Sequence, residues 1–211
     1  MRALYKSVLI FEIHSGSIVE TVLNKIRSQL SPVVESIGRS LGSTGLSPTF
    51  WTFLGFAFSV LAGLLYALRP SEPYLAALAL VISGVFDVLD GAVARVMHRV
   101  SKSGSFNDST LDRLAEIAVY SGIIYGNYTS PLDVMLALGF SLLVSYTRAK
   151  GDSLGVSLSG IGIGERAERL IVLIVFSLIA YVWIGVWIVL VIAFVTFIQR
   201  YAAILRKLRF Q

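Results

Sequence analysis

Six apolar stretches follow one another along most of the chain, and they constrain the fold more than any other feature of the sequence. A helix that crosses a membrane needs about 20 mostly apolar residues, and only helices and closed barrels satisfy their backbone hydrogen bonds inside lipid. Charged residues make up 15% of the chain, against roughly 25% in soluble domains. The sequence therefore predicts an all-α integral membrane protein with six transmembrane helices. The stretches are Pro48–Leu68, Pro73–Met97, Thr110–Tyr128, Leu132–Tyr146, Ala167–Val182 and Ile184–Leu205.

The chain divides into an N-terminal segment, residues 1–46, and a transmembrane domain, residues 47–211. The count of spans within that domain has one weak point. Only a weak break at residues 181–185 separates the fifth stretch from the sixth. Fusion of these two stretches into one bent helix is therefore the alternative to six spans.

The N-terminal segment has an amphipathic pattern. Apolar residues recur at helical spacing between Ile18 and Leu30, with charged residues on the other side. Ser31 followed by Pro32 is typical of a helix start, so a short second helix is predicted towards Gly42. The pattern favours an N-terminal amphipathic juxtamembrane helix in the headgroup layer, although packing against a soluble partner would give the same pattern.

The distribution of Lys and Arg predicts the orientation of the chain. These residues lie at the ends of apolar stretches rather than in one stripe interleaved with aromatic residues, which argues against nucleic acid as a partner. With six spans and a cytoplasmic N-terminus, all 18 Lys and Arg residues except Arg69 fall on the cytoplasmic side. This asymmetry follows the positive-inside rule. We therefore expect a multi-pass protein of the cell membrane with both termini in the cytoplasm.

Four aspartates lie near the cytoplasmic ends of the second and third stretches: Asp87, Asp90, Asp108 and Asp112. Their spacings of three and four place each pair on one face of its helix. Ionisable residues within spans are costly and usually functional, and clustered carboxylates need protons or a cation to relieve their repulsion. Because the chain has no Cys, an all-oxygen ligand set favours a hard cation, Mg²⁺ or Mn²⁺, and a pair of ions is possible. Glu116, one turn beyond, is interpreted first as a buried residue bonded to a neighbouring helix, and second as a partner of the metal ligands.

Two other interpretations of the aspartates are weaker. Acids favour helix N-termini, so Asp108 and Asp112 alone would fit ordinary helix-end residues in the headgroup layer. Asp87 and Asp90 would not, because they lie at a C-terminal end, where the helix dipole disfavours them. A cation transporter is the second alternative, but transport sites usually lie near the membrane midplane at broken helices. Here the acids cluster at one face.

The aspartates belong to a longer motif of fixed spacing, which reads Asp87-x2-Asp90-Gly91-x2-Ala94-Arg95-x8-Gly104-x3-Asp108-x3-Asp112. Gly91 has no side chain, so a nucleotide can approach the backbone beside the acids. Arg95 lies four residues later on the same face and can make a forked contact to a diphosphate. The motif resembles the signature of the CDP-alcohol phosphotransferase family at every fixed position. The resemblance extends over the six-span layout and covers most of residues 47–205.

This resemblance implies an enzyme of phospholipid biosynthesis that works as a homodimer. Asp87, Asp90 and Asp108 would be metal ligands that hold the CDP pyrophosphate through Mg²⁺ or Mn²⁺, with two ions expected. Asp112 would share the second metal and act as general base on the acceptor hydroxyl. The residues implied for CDP-lipid binding are Gly91, Arg95, Ser101, Gly104, Thr49 and Thr52. Thr49 stands where the family has Asn.

The connection between the fourth and fifth stretches bears on the acceptor. It carries four cations: Arg148, Lys150, Arg166 and Arg169. A phosphorylated acceptor requires such cations, because its dianion must approach an anionic donor. Membrane anchoring by the positive-inside rule accounts for them about equally well.

The spacing of these cations, with Glu165 and Glu168 between them, resembles the inositol-phosphate branch of the family. This implies inositol 1-phosphate as the acceptor and a CDP-lipid, either CDP-diacylglycerol or CDP-archaeol, as the donor. Glycerol 3-phosphate as the acceptor and soluble CDP-inositol as the donor are the alternatives. The residues implied for binding the acceptor phosphate are Lys150, Arg166, Arg169, Arg148 and Lys102.

Overall fold

The structure, a computed structural model, describes residues 32–158 and 160–209, and every regular element there is a helix. A short helix, α1, covers residues 32–42. Six longer helices follow: α2 (Pro48–Leu68), α3 (Pro73–Val96), α4 (Lys102–Tyr125), α5 (Pro131–Ser153), α6 (Arg166–Leu178) and α7 (Val182–Leu208). The all-α prediction is confirmed for the described residues.

Local sequence explains where several helices begin. Pro48, Pro73 and Pro131 occupy the first positions of α2, α3 and α5, where a residue without a backbone N–H costs nothing. Ser47 and Ser130 precede two of these prolines, and each side chain accepts a hydrogen bond from a backbone N–H of the first turn. Such caps satisfy N–H groups that have no partner within the helix.

Four of the helices are long and apolar enough to cross a membrane: α2, α3, α5 and α7. The first half of α4 is polar, and α6 has only 13 residues. These four helices indicate a membrane protein. The count of six crossings stays a prediction. The fifth and sixth stretches are separate helices, with a break at Ala180, whose φ of 60° ends α6.

Helix α4 begins at Lys102 rather than at the predicted Thr110, because polar residues also take part in the helix. The predicted amphipathic stretch from Ile18 to Leu30 lies outside the described residues. The short second helix is present as α1, and its position in the headgroup layer stays a prediction. A Cβ added at Gly38 would lie 3.0 Å from the Cβ of Ala92, so α1 packs closely on α3.

Helix α2 packs along both α3 and α4. The closest approach is between Gly63 and Gly122, where a Cβ on Gly122 would collide with the Gly63 carbonyl group. A Cβ on Gly63 would likewise collide with the Ala118 carbonyl group. Small residues allow transmembrane helices to approach in this way. As a result, α2 holds the C-terminal half of α3 and the N-terminal half of α4 at the same end of the bundle.

The second half of the bundle is built on α7, which packs against α5 and α6, and α6 in turn contacts α3. Buried hydroxyl pairs join the helices inside the apolar core. Ser59 of α2 lies 2.7 Å from Ser83 of α3, and Tyr66 of α2 lies 2.5 Å from Ser177 of α6, measured between side-chain oxygens. The N-terminus of α6 is thereby placed at the same end as the acidic residues of α3 and α4.

Candidate functional site

Three aspartates from α3 and α4 meet at this end of the bundle. Asp87, Asp108 and Asp112 each offer a carboxylate oxygen, and these oxygens all lie within 4.8 Å of one another. The short connection between α3 and α4 returns the chain antiparallel, so residues near the end of α3 face residues near the start of α4. The predicted clustering of the acids at one face is confirmed for these three.

Asp90 lies beside this trio but is more deeply buried. The residue is 7% exposed, and the Thr52 side chain of α2 lies against its carboxylate. Its Oδ2 atom is buried and has no hydrogen-bond partner among the described residues. A buried carboxylate oxygen without a partner is costly, so this atom fits the position of a ligand to a cation.

The donor set as a whole fits a divalent cation. Four carboxylates supply only oxygen ligands, the type that Mg²⁺ and Mn²⁺ prefer. Three of them are close enough to share one ion, and the fourth has an unpaired oxygen. The residues present can therefore hold a divalent metal, and positive charge there would relieve the repulsion among the carboxylates.

Replacing Asp87 with Asn tests this metal site directly. We expect Mn²⁺ to bind at least about tenfold more weakly, because affinity for hard cations follows the number of charged ligands. Electron paramagnetic resonance of free Mn²⁺ during titration of the purified protein measures this affinity. Asp133→Asn is the matched control, because Asp133 lies in the first turn of α5, at the other end of the bundle. Equal Mn²⁺ affinity in the two variants would contradict the assignment.

Arg166, the first residue of α6, places a guanidinium group among the acids. Its Nη1 atom lies 2.8 Å from Oδ1 of Asp112 and 3.3 Å from Oδ2 of Asp87. Its Nε atom lies 3.9 Å from Oε1 of Glu116. The arginine side chain is 26% exposed, so a ligand can reach it. The sequence predicted that Arg166 binds the acceptor phosphate, but it did not predict the ion pair with Asp112.

A cleft opens beside this group, and its lining extends from the acids to Ser59 and Ser83. Its polar wall comes from α2, α3, α4 and α6, which explains why all four helices are needed for the site. The polar residues that line it are Thr52, Ser59, Ser83, Asp87, Asp90, Asp112 and Arg166. The chemistry available there is that of carboxylates, hydroxyls and one guanidinium.

Gly91 lies on α3 one turn beyond Asp87, and Arg95 lies one turn further on. Arg95 is exposed, and its Nη1 atom lies 3.4 Å from the point where a Cβ on Gly91 would be. The guanidinium therefore folds over the glycine, as expected for residues four apart on one helix face. Thr49 is half-buried in the first turn of α2, and Thr52 lines the cleft.

Ser101 and Gly104 have a local role in the structure. The Ser101 hydroxyl accepts a hydrogen bond from the Gly104 backbone N–H at 3.0 Å and so caps α4. Gly104 lies within the first turn of α4. The cap explains the earlier helix start at Lys102, because it satisfies an N–H that would otherwise have no partner.

The remaining predicted acceptor cations lie in different surroundings. Arg148 is exposed and lies 3.4 Å from Glu165, while Lys150 near the end of α5 and Lys102 at the start of α4 are both exposed. Arg169 is 3% exposed, and it donates hydrogen bonds to Glu116 at 3.0 Å and to the Gly164 carbonyl at 2.8 Å.

The buried pair of Arg169 and Glu116 joins α6 to α4. These contacts support a structural role for Arg169, and its binding of the acceptor phosphate stays a prediction. The interpretation of Glu116 as a buried residue bonded to a neighbouring helix is confirmed by the same pair.

Two residues of α7 that the sequence analysis did not single out lie next to this site. Thr196 and Arg200 are 0% and 2% exposed, and both bind the segment that leads into Arg166. The signal for Arg200 was present in the sequence. It is an ionisable residue late in an apolar stretch, and such residues usually face the bundle interior.

Comparison with known proteins gives consistent matches over most of the chain. The family described as CDP-alcohol phosphatidyltransferase matches residues 46–199. An archaetidylinositol phosphate synthase of Pyrococcus horikoshii is 38% identical over 179 residues, which cover 85% of this chain and 94% of the relative.

Two crystal structures of phosphatidylinositol phosphate synthase from Mycobacterium tuberculosis have similar folds. The structure with CDP-DAG bound has a TM-score of 0.73 and 26% identity, and the match covers 82% of this chain and 94% of that one. The complex with manganese and citrate has a TM-score of 0.73 and 27% identity, covering 81% and 88%. The mycobacterial protein thus holds a divalent metal on the fold that this chain shares.

Proposed function

The chain belongs to the CDP-alcohol phosphatidyltransferase family, and we propose that it transfers a phosphatidyl-type group from a CDP-linked lipid to a hydroxyl of inositol 1-phosphate, releasing CMP. The transferase class follows from the family. The acceptor is supported by the relatives, which are named as synthases of inositol phosphate lipids. The observation that carries the proposal is the position of Arg166, 2.8 Å from Asp112 in the cluster of acids.

Asp112 is the proposed general base. Its carboxylate takes the proton of the acceptor hydroxyl while that oxygen forms a bond to the lipid-linked phosphorus of the donor. The bond from this phosphorus to the bridging oxygen breaks, and CMP leaves with the electron pair. A positioned base typically contributes about 10²–10⁴-fold to the rate. Asp112 suits this role because it lies between the other acids and the arginine.

Asp87, Asp90, Asp108 and Asp112 would hold the divalent metal, and two ions are proposed. The metal supplies charge neutralisation for the pyrophosphate when it is bound. The residues around the metal site are proposed to bind the nucleotide part of the donor. Gly91 leaves the α3 backbone open to approach, and Arg95 reaches over it as a partner for the diphosphate. The other residues proposed on the donor side are Thr49, Thr52, Ser101 and Gly104.

The acceptor is proposed to bind between Arg166 and the end of α5. Its phosphate carries a double negative charge, so it needs cations beside a cluster of carboxylates. Arg166 can supply a forked contact, and Arg148 and Lys150 are exposed near the start of α6 and the end of α5. Lys102 and the buried Arg169 are the remaining candidates. A neutral acceptor such as inositol would not require this set.

We also propose that the active site faces the cytoplasm, with both termini on that side, and that the protein works as a homodimer. The placement of Lys and Arg supports the orientation, and the family resemblance supports the dimer. The lipid of the donor is proposed to be diacylglycerol or archaeol. The relative from Pyrococcus horikoshii is named for an archaetidyl product, and the mycobacterial protein was solved with CDP-DAG.

An assay with purified protein tests the acceptor. CDP-diacylglycerol or CDP-archaeol is supplied with Mg²⁺ or Mn²⁺ and one acceptor at a time, and CMP release is measured. We expect release with inositol 1-phosphate and little with inositol or glycerol 3-phosphate. Release with glycerol 3-phosphate and none with inositol phosphate would overturn the proposed acceptor.

Replacing Arg166 with Ala should raise the KM for inositol phosphate about tenfold or more, because hydrogen bonds to charged groups contribute about 1.5–3 kcal/mol. Initial rates at saturating metal and CDP-lipid measure this change. Arg69→Ala is the control, since Arg69 is an exposed arginine in the connection between α2 and α3, at the far end of the bundle. An effect confined to CDP-lipid affinity would contradict the placement of Arg166 on the acceptor side.

A further inference from the structure

The segment that leads into α6, residues 161–165, is hydrogen-bonded to α7 at the buried Thr196. The backbone N–H of Gly164 donates to Oγ1 of Thr196 at 2.9 Å, and Thr196 is 0% exposed. Gly162 has a φ of +119°, and a Cβ there would lie 2.5 Å from Cγ2 of Thr196. The segment therefore lies directly on the threonine, and side chains at Gly162 would prevent this contact.

Arg200, one turn along α7, binds the same segment at two further points. The Arg200 guanidinium donates to the Ile161 carbonyl at 2.9 Å and to Glu165, the residue before α6, at 3.0 Å. It also donates to the Val144 carbonyl of α5 at 3.1 Å. Because Arg200 is nearly fully buried, these bonds fix α5, the segment and α7 relative to one another.

On the far side, the segment is joined to the acids. The Gly164 carbonyl accepts from Arg169, which pairs with Glu116 one turn beyond Asp112. Two residues after Gly164, the guanidinium of Arg166 reaches Asp112. Gly164 thus has its N–H bound to α7 and its carbonyl bound to α6. The position at which Gly164 contacts α7 therefore determines where α6 begins.

We propose that Thr196 is a positioning residue, which places Arg166 beside Asp112 by fixing the Gly164 backbone. The inference rests on the proposed function only in its assignment of Arg166 to the acceptor phosphate. Without the hydroxyl, the Gly164 N–H would be buried with no partner. The segment would then shift to find one, and Arg166, only two residues away, would move with it.

Thr196→Val tests this proposal, because valine keeps the shape of threonine and replaces only the hydroxyl with a methyl group. We expect the KM for inositol phosphate to rise about five- to tenfold, the effect of losing one buried hydrogen bond. The affinity for the CDP-lipid, measured by binding without acceptor, should change less than about twofold. Thr196→Ser keeps the hydroxyl and should restore the acceptor KM, which a purely steric role would not.

Thr147→Val is the matched control. Thr147 is also buried, but its hydroxyl bonds only to carbonyls of its own helix, Leu143 at 2.9 Å and Val144 at 3.0 Å. It lies next to the Arg200 contact on Val144, so it makes a stringent comparison. An acceptor KM in Thr196→Val equal to that of Thr147→Val would overturn the proposal, as would equal losses on donor and acceptor.

A second measurement is independent of the acceptor. The chain has no Cys, so Ile163→Cys, at a residue 38% exposed, provides a unique site for a nitroxide label on the segment. We expect the label to become more mobile with Thr196→Val and to be unchanged with Thr196→Ser or Thr147→Val. Unchanged mobility in Thr196→Val would overturn the proposal. If the label becomes more mobile with Thr196→Val but the protein releases no CMP with inositol phosphate, the positioning role of Thr196 is supported and the proposed acceptor is rejected.

Discussion

Asp112→Asn is expected to lower kcat on the order of 10³-fold while leaving CDP-lipid binding measurable. Asparagine has the size of aspartate and keeps one oxygen, but it cannot take a proton from the acceptor hydroxyl. General bases typically contribute about 10²–10⁴-fold. The two Asp112 oxygens lie 2.8 Å from Arg166 and 3.6 Å from Arg113. CMP release at saturating metal, donor and inositol phosphate measures kcat, and equilibrium binding of the CDP-lipid measures the donor site.

The matched control for this variant is Asp133→Asn. Asp133 lies in the first turn of α5, at the other end of the bundle, so the substitution makes the same change of charge away from the acids. We expect its kcat to stay within about twofold of wild type, since it is remote from the proposed site. Turnover near wild type in Asp112→Asn would rule out its role as the base. A loss reversed by raising the metal concentration would assign Asp112 to the metal alone.

Gly122→Ala is expected to destabilise the protein, because an added methyl group has no room between α2 and α4. The new Cβ would collide with the Gly63 carbonyl group, and neither backbone can move without separating the two helices. Overpacking costs about 1–3 kcal/mol and occasionally more, which corresponds to a fall of roughly 2–12 °C in melting temperature for a chain of this length. Thermal unfolding of the protein in detergent, followed by circular dichroism or light scattering, measures the change.

Gly139→Ala is the control, and we expect its effect on stability to have the opposite sign. Gly139 lies within α5, and a Cβ there would have no atom within 4 Å. Alanine is about 1 kcal/mol better than glycine inside a helix, so stability should stay the same or rise slightly. Equal melting temperatures for Gly122→Ala and Gly139→Ala would contradict the close approach of α2 and α4.

The contrast between these two glycines shows what one sequence can and cannot predict. Gly91 was singled out because it stands inside a motif of fixed spacing. Gly63 and Gly122 carry no such signal, since each is a glycine within an apolar stretch. Their importance depends on which helix lies opposite, and the distance between two helix axes is a property of the packed bundle.

The same distinction holds among the arginines. Arg166 and Arg169 were predicted together as phosphate-binding residues, because the spacing of the cations and acids in this connection resembles the inositol-phosphate branch of the family. The structure separates them. Arg166 is accessible beside Asp112, whereas Arg169 is buried against Glu116. Three residues along a helix correspond to nearly one full turn, so a small rotation of α6 decides which arginine faces the cleft and which faces α4.

The amino-acid sequence alone was enough to predict the membrane class, the helical fold and the four aspartates, because apolar length and residue spacing are local properties that survive in any packing. It also predicted the family, since the motif spacing is a property of the chain alone. The packed bundle was needed to show that three aspartates converge while Asp90 keeps a buried, unpaired oxygen. Packing also brought Thr196 of α7 to the backbone before Arg166. That contact joins residues 32 positions apart in the chain, and its distance is fixed by the packing of whole helices rather than by any local pattern.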